Sequence, residues 1–233
     1  MLDASVYNGI WRGSLVWRRW WVSLILLSAA TVSLNLALLP KAIVLIEEVF
    51  TRSIWLPIDD GQLDDVMDVA KRGLLFHSIL SGVRVAAFVP AAAALAKTVL
   101  VVQGLRPRLS TCATAAVIFA TVLFLKEALG GLCMLLTPIE NATAESLRFR
   151  TGISLFLDTA AWGPAADYIL DKADPFGAGA VLAGAAWLRG RMDLTWPGAV
   201  SAMLLPALAA LSVGLLFHLA LSAKLGQVPG GTW

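Results

Sequence analysis

Residues 111–137 read TCATAAVIFATVLFLKEALGGLCMLLT, and this stretch decides the class of fold. Lys126 and Glu127 are its only charges. A helix rises about 1.5 Å per residue, and a bilayer's hydrocarbon core is about 30 Å thick, so about 20 mostly apolar residues cross it. The stretch exceeds that length. An ordinary surface helix would show a polar stripe on every turn, and none is present. The stretch therefore reads as a membrane-spanning helix.

Working outward, four more runs share this character: 20–40, 83–103 (with Pro90 inside), 176–188 and 197–221. The run at 176–188 is short. It is built mainly of Gly, Ala, Val and Leu, and small residues suit a helix packed within a bundle. Asp174-Pro175 before it reads as an N-cap followed by proline at the first helical position. The composition agrees: 58% of residues are hydrophobic and 15% charged, with a mean hydropathy of +0.78. A soluble domain carries about 25% charged residues. The expected fold class is all-α, a polytopic transmembrane helix bundle of about five spans.

Charge supplies an independent test, because cytoplasmic loops are rich in Lys and Arg. Arg12, Arg18 and Arg19 precede the first run, Arg106 and Arg108 separate the second from the third, and Arg189 and Arg191 separate the fourth from the fifth. Five crossings put all three groups on one side. The other side receives Glu47, Glu48, Asp59, Asp60, Asp64, Asp65 and Asp68, and later Glu140, Glu145, Asp158, Asp167, Asp171 and Asp174. The expected orientation is N-terminus cytoplasmic and C-terminus outside. Trp11, Trp17, Trp20, Trp21, Trp187 and Trp196 fall at the inner headgroup level, where amphipathic rings are favoured. The first run continues to Pro40, longer than a signal-peptide core, and reads as a retained anchor.

The expected organisation is a cytoplasmic segment 1–19, a membrane domain 20–221 with outer loops 46–80 and 139–173, and a C-terminal tail 222–233. In the first loop, Leu63, Val66, Met67, Ala70, Leu74 and Leu75 recur at helical spacing, with Asp64, Asp65, Asp68, Lys71 and Arg72 between them. That pattern predicts an amphipathic outer helix. Its acidic start, with Asp65 and Asp68, favours contact with protein over a membrane surface, which prefers a basic face. The second loop contains Asn141-Ala142-Thr143, a glycosylation acceptor pattern.

Few residues carry chemistry. An ionisable group in mid-membrane costs about 2.5–3.5 kcal/mol, so Lys126 and Glu127 are expected to face a bundle interior or another subunit. Adjacent helical positions point about 100° apart, so the two need not pair with each other. Lys97, Arg84 and Asn35 are the candidate partners on other spans. The alternative use is a proton or ion path. Glu47-Glu48-Val49-Phe50-Thr51-Arg52 resembles the first motif, EExxxR, of the CPBP intramembrane proteases. The histidine element of that family is missing, because Gly73 and Gly214 stand four residues before His77 and His218. No phosphate loop, HExxH or GxSxG occurs. Cys112, Cys133, His77 and His218 read as packing residues, and no metal or cofactor is expected. A net charge of +2 with scattered basic residues argues against nucleic acid as a partner.

The stretch 170–221 resembles the C-terminal part of the Yip1 family. Leu170-Asp171-Lys172-Ala173-Asp174-Pro175-Phe176 is similar to the Asp-x-Phe-type start of a short fourth span. Trp187-Leu188-Arg189-Gly190-Arg191 is similar to the basic, aromatic turn after it, and Trp196-Pro197-Gly198-Ala199 to the start of the last span. Gly177-Ala178 stand where an aromatic usually follows, which points to a bacterial-type member. The resemblance implies a non-enzymatic integral membrane subunit of the bacterial inner membrane. Such a subunit would be an accessory or scaffold component of a larger complex, such as an ABC-type exporter. It implies membrane lipid and other membrane protein subunits as partners and supplies no catalytic residues. The alternatives are a small stand-alone channel or transporter and a CPBP-like protease. The small-residue surface Gly177, Ala178, Gly179, Ala180, Ala183, Gly184 and Ala185 is the expected contact face, and Gly184 is the position where a bulky side chain is expected to disrupt it.

Overall fold

Backbone polar groups in hydrocarbon find no water, so an apolar segment satisfies them within a helix. Helices are what form here. The computed structural model describes residues 19–53, 60–139, 151–152 and 164–225. Among them are α1 (Trp20–Ser53), α2 (Asp60–Val102), α3 (Leu109–Leu136), α4 (Pro164–Lys172), α5 (Pro175–Met192) and α6 (Trp196–Leu225). Four of these hold stretches long and apolar enough to cross a membrane: Trp20–Glu48, Met67–Val102, Leu109–Leu136 and Trp196–Ala220. The chain is all-α and fits an integral membrane protein.

Two boundaries depart from the sequence reading. The outer loop expected at 46–80 is largely helix. α1 passes through Pro40 and ends at Ser53, and the segment after Asp60 is continuous with the second span. Proline costs one backbone hydrogen bond, and apolar helices in lipid absorb that loss against their neighbours. Pro90 and Pro206 are likewise inside helices. No other strong breaker lies between Pro40 and Ser53, and Gly73 and Gly82 are tolerated inside α2. The expected amphipathic helix is thus the beginning of α2, where Met67 is buried while Val69, Leu75 and Phe76 are exposed. Residues 54–59 and the Asn141-Ala142-Thr143 pattern lie outside the described residues.

The chain divides into two compact units. One comprises Trp21–Phe88 and Phe124–Phe149. There α1 and α2 meet through small and polar side chains. A Cβ at Gly82 would stand 3.1 Å from the Ser28 carbonyl oxygen and 2.5 Å from Val32 Cγ2, so only glycine allows this approach. Asn35 Nδ2 donates to Ser81 Oγ at 3.2 Å and to the Thr31 carbonyl at 2.9 Å, and Ser81 Oγ donates to the Ser78 carbonyl. Thr31, Ser78 and Ser81 are buried at this seam.

The other unit comprises Met1–Trp20, Val89–Leu123 and Arg150–Trp233. Its α5 lies along α6, with Ala180, Ala185, Leu188, Ala199, Ala202 and Met203 fully buried. Gly184 faces Met203, whose Cε would stand 2.7 Å from an added Cβ. The expected cap of α5 forms as read: Asp174 Oδ1 accepts from the Gly177 amide at 2.6 Å, and Pro175 opens the helix.

Candidate functional site

The charges within the spans were the sequence's main candidates, and the structure gives each a position. Arg84 lies midway along the Met67–Val102 span and is exposed. Phe76, Ile79, Leu80 and Val83 around it are also exposed. No carboxylate among the described residues lies within 4.0 Å of its guanidinium. Asn35, a candidate partner for the span charges, instead gives its amide to Ser81 and Thr31. Lys126 is half-buried and Glu127 exposed on α3, and both interact within the chain. Lys97 is half-buried on the part of α2 that belongs to the other unit. Asp65 and Asp68 are exposed near the start of α2, where Asp68 meets Arg72 at 3.8 Å. Their side chains are 62% and 84% exposed, so water screens the pair to about 0.3–0.5 kcal/mol. Gly184 faces Met203 on α6 of its own chain.

A second group of polar side chains gathers where α4 meets α5 and α6. Tyr168 stacks on His218 with ring centroids 5.1 Å apart, and Lys172 Nζ lies 5.7 Å from the Tyr168 ring centroid. Gly214 makes room for the Tyr168 hydroxyl, which a Cβ there would strike. Burial pushes the Tyr168 phenol above its ordinary value, and the neighbouring Asp171 carboxylate adds to the rise. Lys172 reaches Asp171 Oδ2 at 3.2 Å, while Asp171 Oδ1 is buried and accepts no hydrogen bond among the described residues. Thr151 Oγ1 donates to Asp174 Oδ2 at 3.3 Å, and a Cβ on Gly152 would collide with the carbonyls of Leu170 and Asp171. Residues 151–152 are therefore fastened across the α4–α5 junction. Sequence reading placed His218 correctly as a packed residue, whereas His77 is exposed.

The third group lies where α5 ends and α6 begins. Arg189 stacks over Trp196 at 4.9 Å and Arg191 over Trp187 at 4.8 Å. Gln103 Nε2, just past the end of α2, donates to Ser201 Oγ at 2.9 Å and to the Gly198 carbonyl at 3.5 Å. Gly104, at φ +83°, closes α2: its amide bonds the Val101 carbonyl, and the Leu105 amide bonds the Leu100 carbonyl. That arrangement is a Schellman motif, and it turns the chain towards Arg106 and Arg108. Both arginines are exposed. The arginine–tryptophan stacks were missed in the sequence. Their signal was present in Trp187-x-Arg189-x-Arg191 followed by Trp196.

Among the described residues, no three His, Cys, Asp or Glu side chains gather in a way that could hold a metal ion. No family model, curated protein or solved structure matches the chain.

Proposed function

We propose that this chain is a non-enzymatic integral membrane subunit, similar to bacterial-type Yip1 proteins, that works by holding other membrane chains as an accessory or scaffold component. The single observation that carries this reading is Arg84. A guanidinium on the outer surface of an apolar span, with no carboxylate within 4.0 Å among the described residues, costs about 2.5–3.5 kcal/mol in hydrocarbon. A carboxylate on a helix of another chain removes that cost and fixes the register of the two helices. An exporter's transmembrane subunit is one partner of suitable chemistry.

We propose further that the chain crosses the membrane five times. Gln103 bonds Ser201 and Gly198, so α2 ends beside the start of α6. α3 starts at this end too and is long enough to cross. The chain must then recross before Trp196. α5 has 18 residues, about 27 Å of helix, and is the segment available to do so. On this count the two termini lie on opposite sides, and Arg106, Arg108, Arg189 and Arg191 share the cytoplasmic side of a bacterial inner membrane.

The test compares Arg84→Leu with Arg84→Lys in the native membrane, purified in mild detergent. The leucine variant inserts normally and loses its co-purifying subunits; the lysine variant retains them. Equal recovery of every companion with Arg84→Leu would rule the partner reading out, and turnover or ion flux by the isolated monomer would replace it with a stand-alone transporter.

A further inference from the structure

We infer that the end of the bundle formed by the α2–α3 and α5–α6 turns is a binding site for the phosphodiester headgroup of an anionic phospholipid. The inference rests on the membrane location of the chain and is independent of the partner reading. Arg106, Arg108, Arg189 and Arg191 are all exposed in one unit. The two turns are tied together by the hydrogen bonds from Gln103 to Ser201 and Gly198. Trp196, two residues before Gly198, carries the Arg189 guanidinium on its face. The turn that carries Arg106 and Arg108 is therefore held beside the first turn of α6, on which Arg189 also lies. Asp193 is the one carboxylate in these two turns, and it forms no ion pair among the described residues.

The stacking is what makes this more than a charged surface. A guanidinium attracted to an indole face is confined near it, and its N–H groups can still make a planar, two-pronged contact with phosphate oxygens. Trp196 is 44% exposed and Trp187 only 9%, so Arg189 lies over an open ring and Arg191 over one set into the protein, while both arginines stay exposed. Neither α3 nor α6 has an acidic residue in its first turn, so both helix starts add to the positive potential. A free phosphate offers the same oxygens. A lipid is favoured as the source because exposed Val101, Val102 and Leu109 flank the arginines and provide acyl-chain contact.

The experiment titrates the purified full chain with phosphatidylglycerol or phosphatidylcholine in detergent and reads bound lipid by native mass spectrometry. Phosphatidylglycerol is expected to be retained and phosphatidylcholine released. The paired change Arg189→Gln with Arg191→Gln weakens retention about thirtyfold, as two arginines at an anionic surface predict. Arg106→Gln with Arg108→Gln, which leaves both stacks intact, weakens it in the same direction. Arg189→Lys with Arg191→Lys keeps the charge but still loses about tenfold, because an ammonium lacks the planar edge. The control pair Lys71→Gln with Arg72→Gln leaves retention unchanged. Equal retention of both lipids, an equal loss in the control pair, or full retention by the lysine pair overturns the site. Displacement of phosphatidylglycerol by millimolar inorganic phosphate would overturn the lipid assignment in favour of a soluble phosphate.

Discussion

Tyr168 shows how much a single residue reports in this chain. The sequence holds two tyrosines, Tyr7 and Tyr168, so a Tyr7→Phe protein has one phenol to titrate. Burial, with Asp171 second, raises the Tyr168 pKa above 10.0. The folded state therefore holds the phenolic proton more tightly than the unfolded state. The stability this provides is complete below the ordinary value and is lost as pH rises through the folded one. Alkaline titration of tyrosinate absorbance in the Tyr7→Phe protein should show a transition above the ordinary value. Asp171→Asn should lower it only in part, because burial is the larger cause. A transition at the ordinary value in the folded protein would contradict the burial of the ring. At this scale the sequence was partly legible. The Asp174-Pro175 start of α5 could be read because capping is a local act between Asp174 and the Gly177 amide. The Tyr168–His218 stack could not, because it depends on how α4 is laid against α6.

Among the elements, α3 was the most legible: residues 111–137 were expected and Leu109–Leu136 are observed. An uninterrupted apolar run has one solution in lipid. α1 and α2 were less so, because proline is a strong stop in water and a weak one in hydrocarbon, and Pro40 was given its aqueous meaning. The pairing of α5 with α6 offers the sharpest test of packing. At Gly184, the nearest atom to an added Cβ is the mobile end of Met203, so Gly184→Ala needs only a shift of that side chain. Gly184→Leu puts a branched side chain where Met203 is fully buried and should separate the helices, at an overpacking cost of about 1–3 kcal/mol. A thermal melt in detergent should place the alanine variant near the wild type and the leucine variant well below it, with insertion unchanged. Identical melts for all three would mean that α5 and α6 do not pack here.

For the whole molecule, the alternation of basic and acidic segments was legible without any structure, because it is a property of order along the chain. Which span charges face outward was not, since that depends on the rotation of each helix about its axis. The alternation predicts topology. In a protein with Cys112→Ser and Cys133→Ser, a cysteine at position 65 should react with a membrane-impermeant maleimide added outside intact cells, and one at position 108 should react only after lysis. Reaction at 108 in intact cells would contradict the five-span count or its orientation.

The partner claim is tested most directly by a photo-crosslinking residue placed at Leu80, one helical turn before Arg84 on the exposed face of α2, with Ser81 at the buried α1–α2 seam as the control. In native membranes, position 80 should link to a second polypeptide through a peptide from an apolar span that contains Asp or Glu, while position 81 links only within the chain. If position 80 yields lipid adducts alone, Arg84 faces the bilayer and the account of this protein as a partner-holding subunit is wrong.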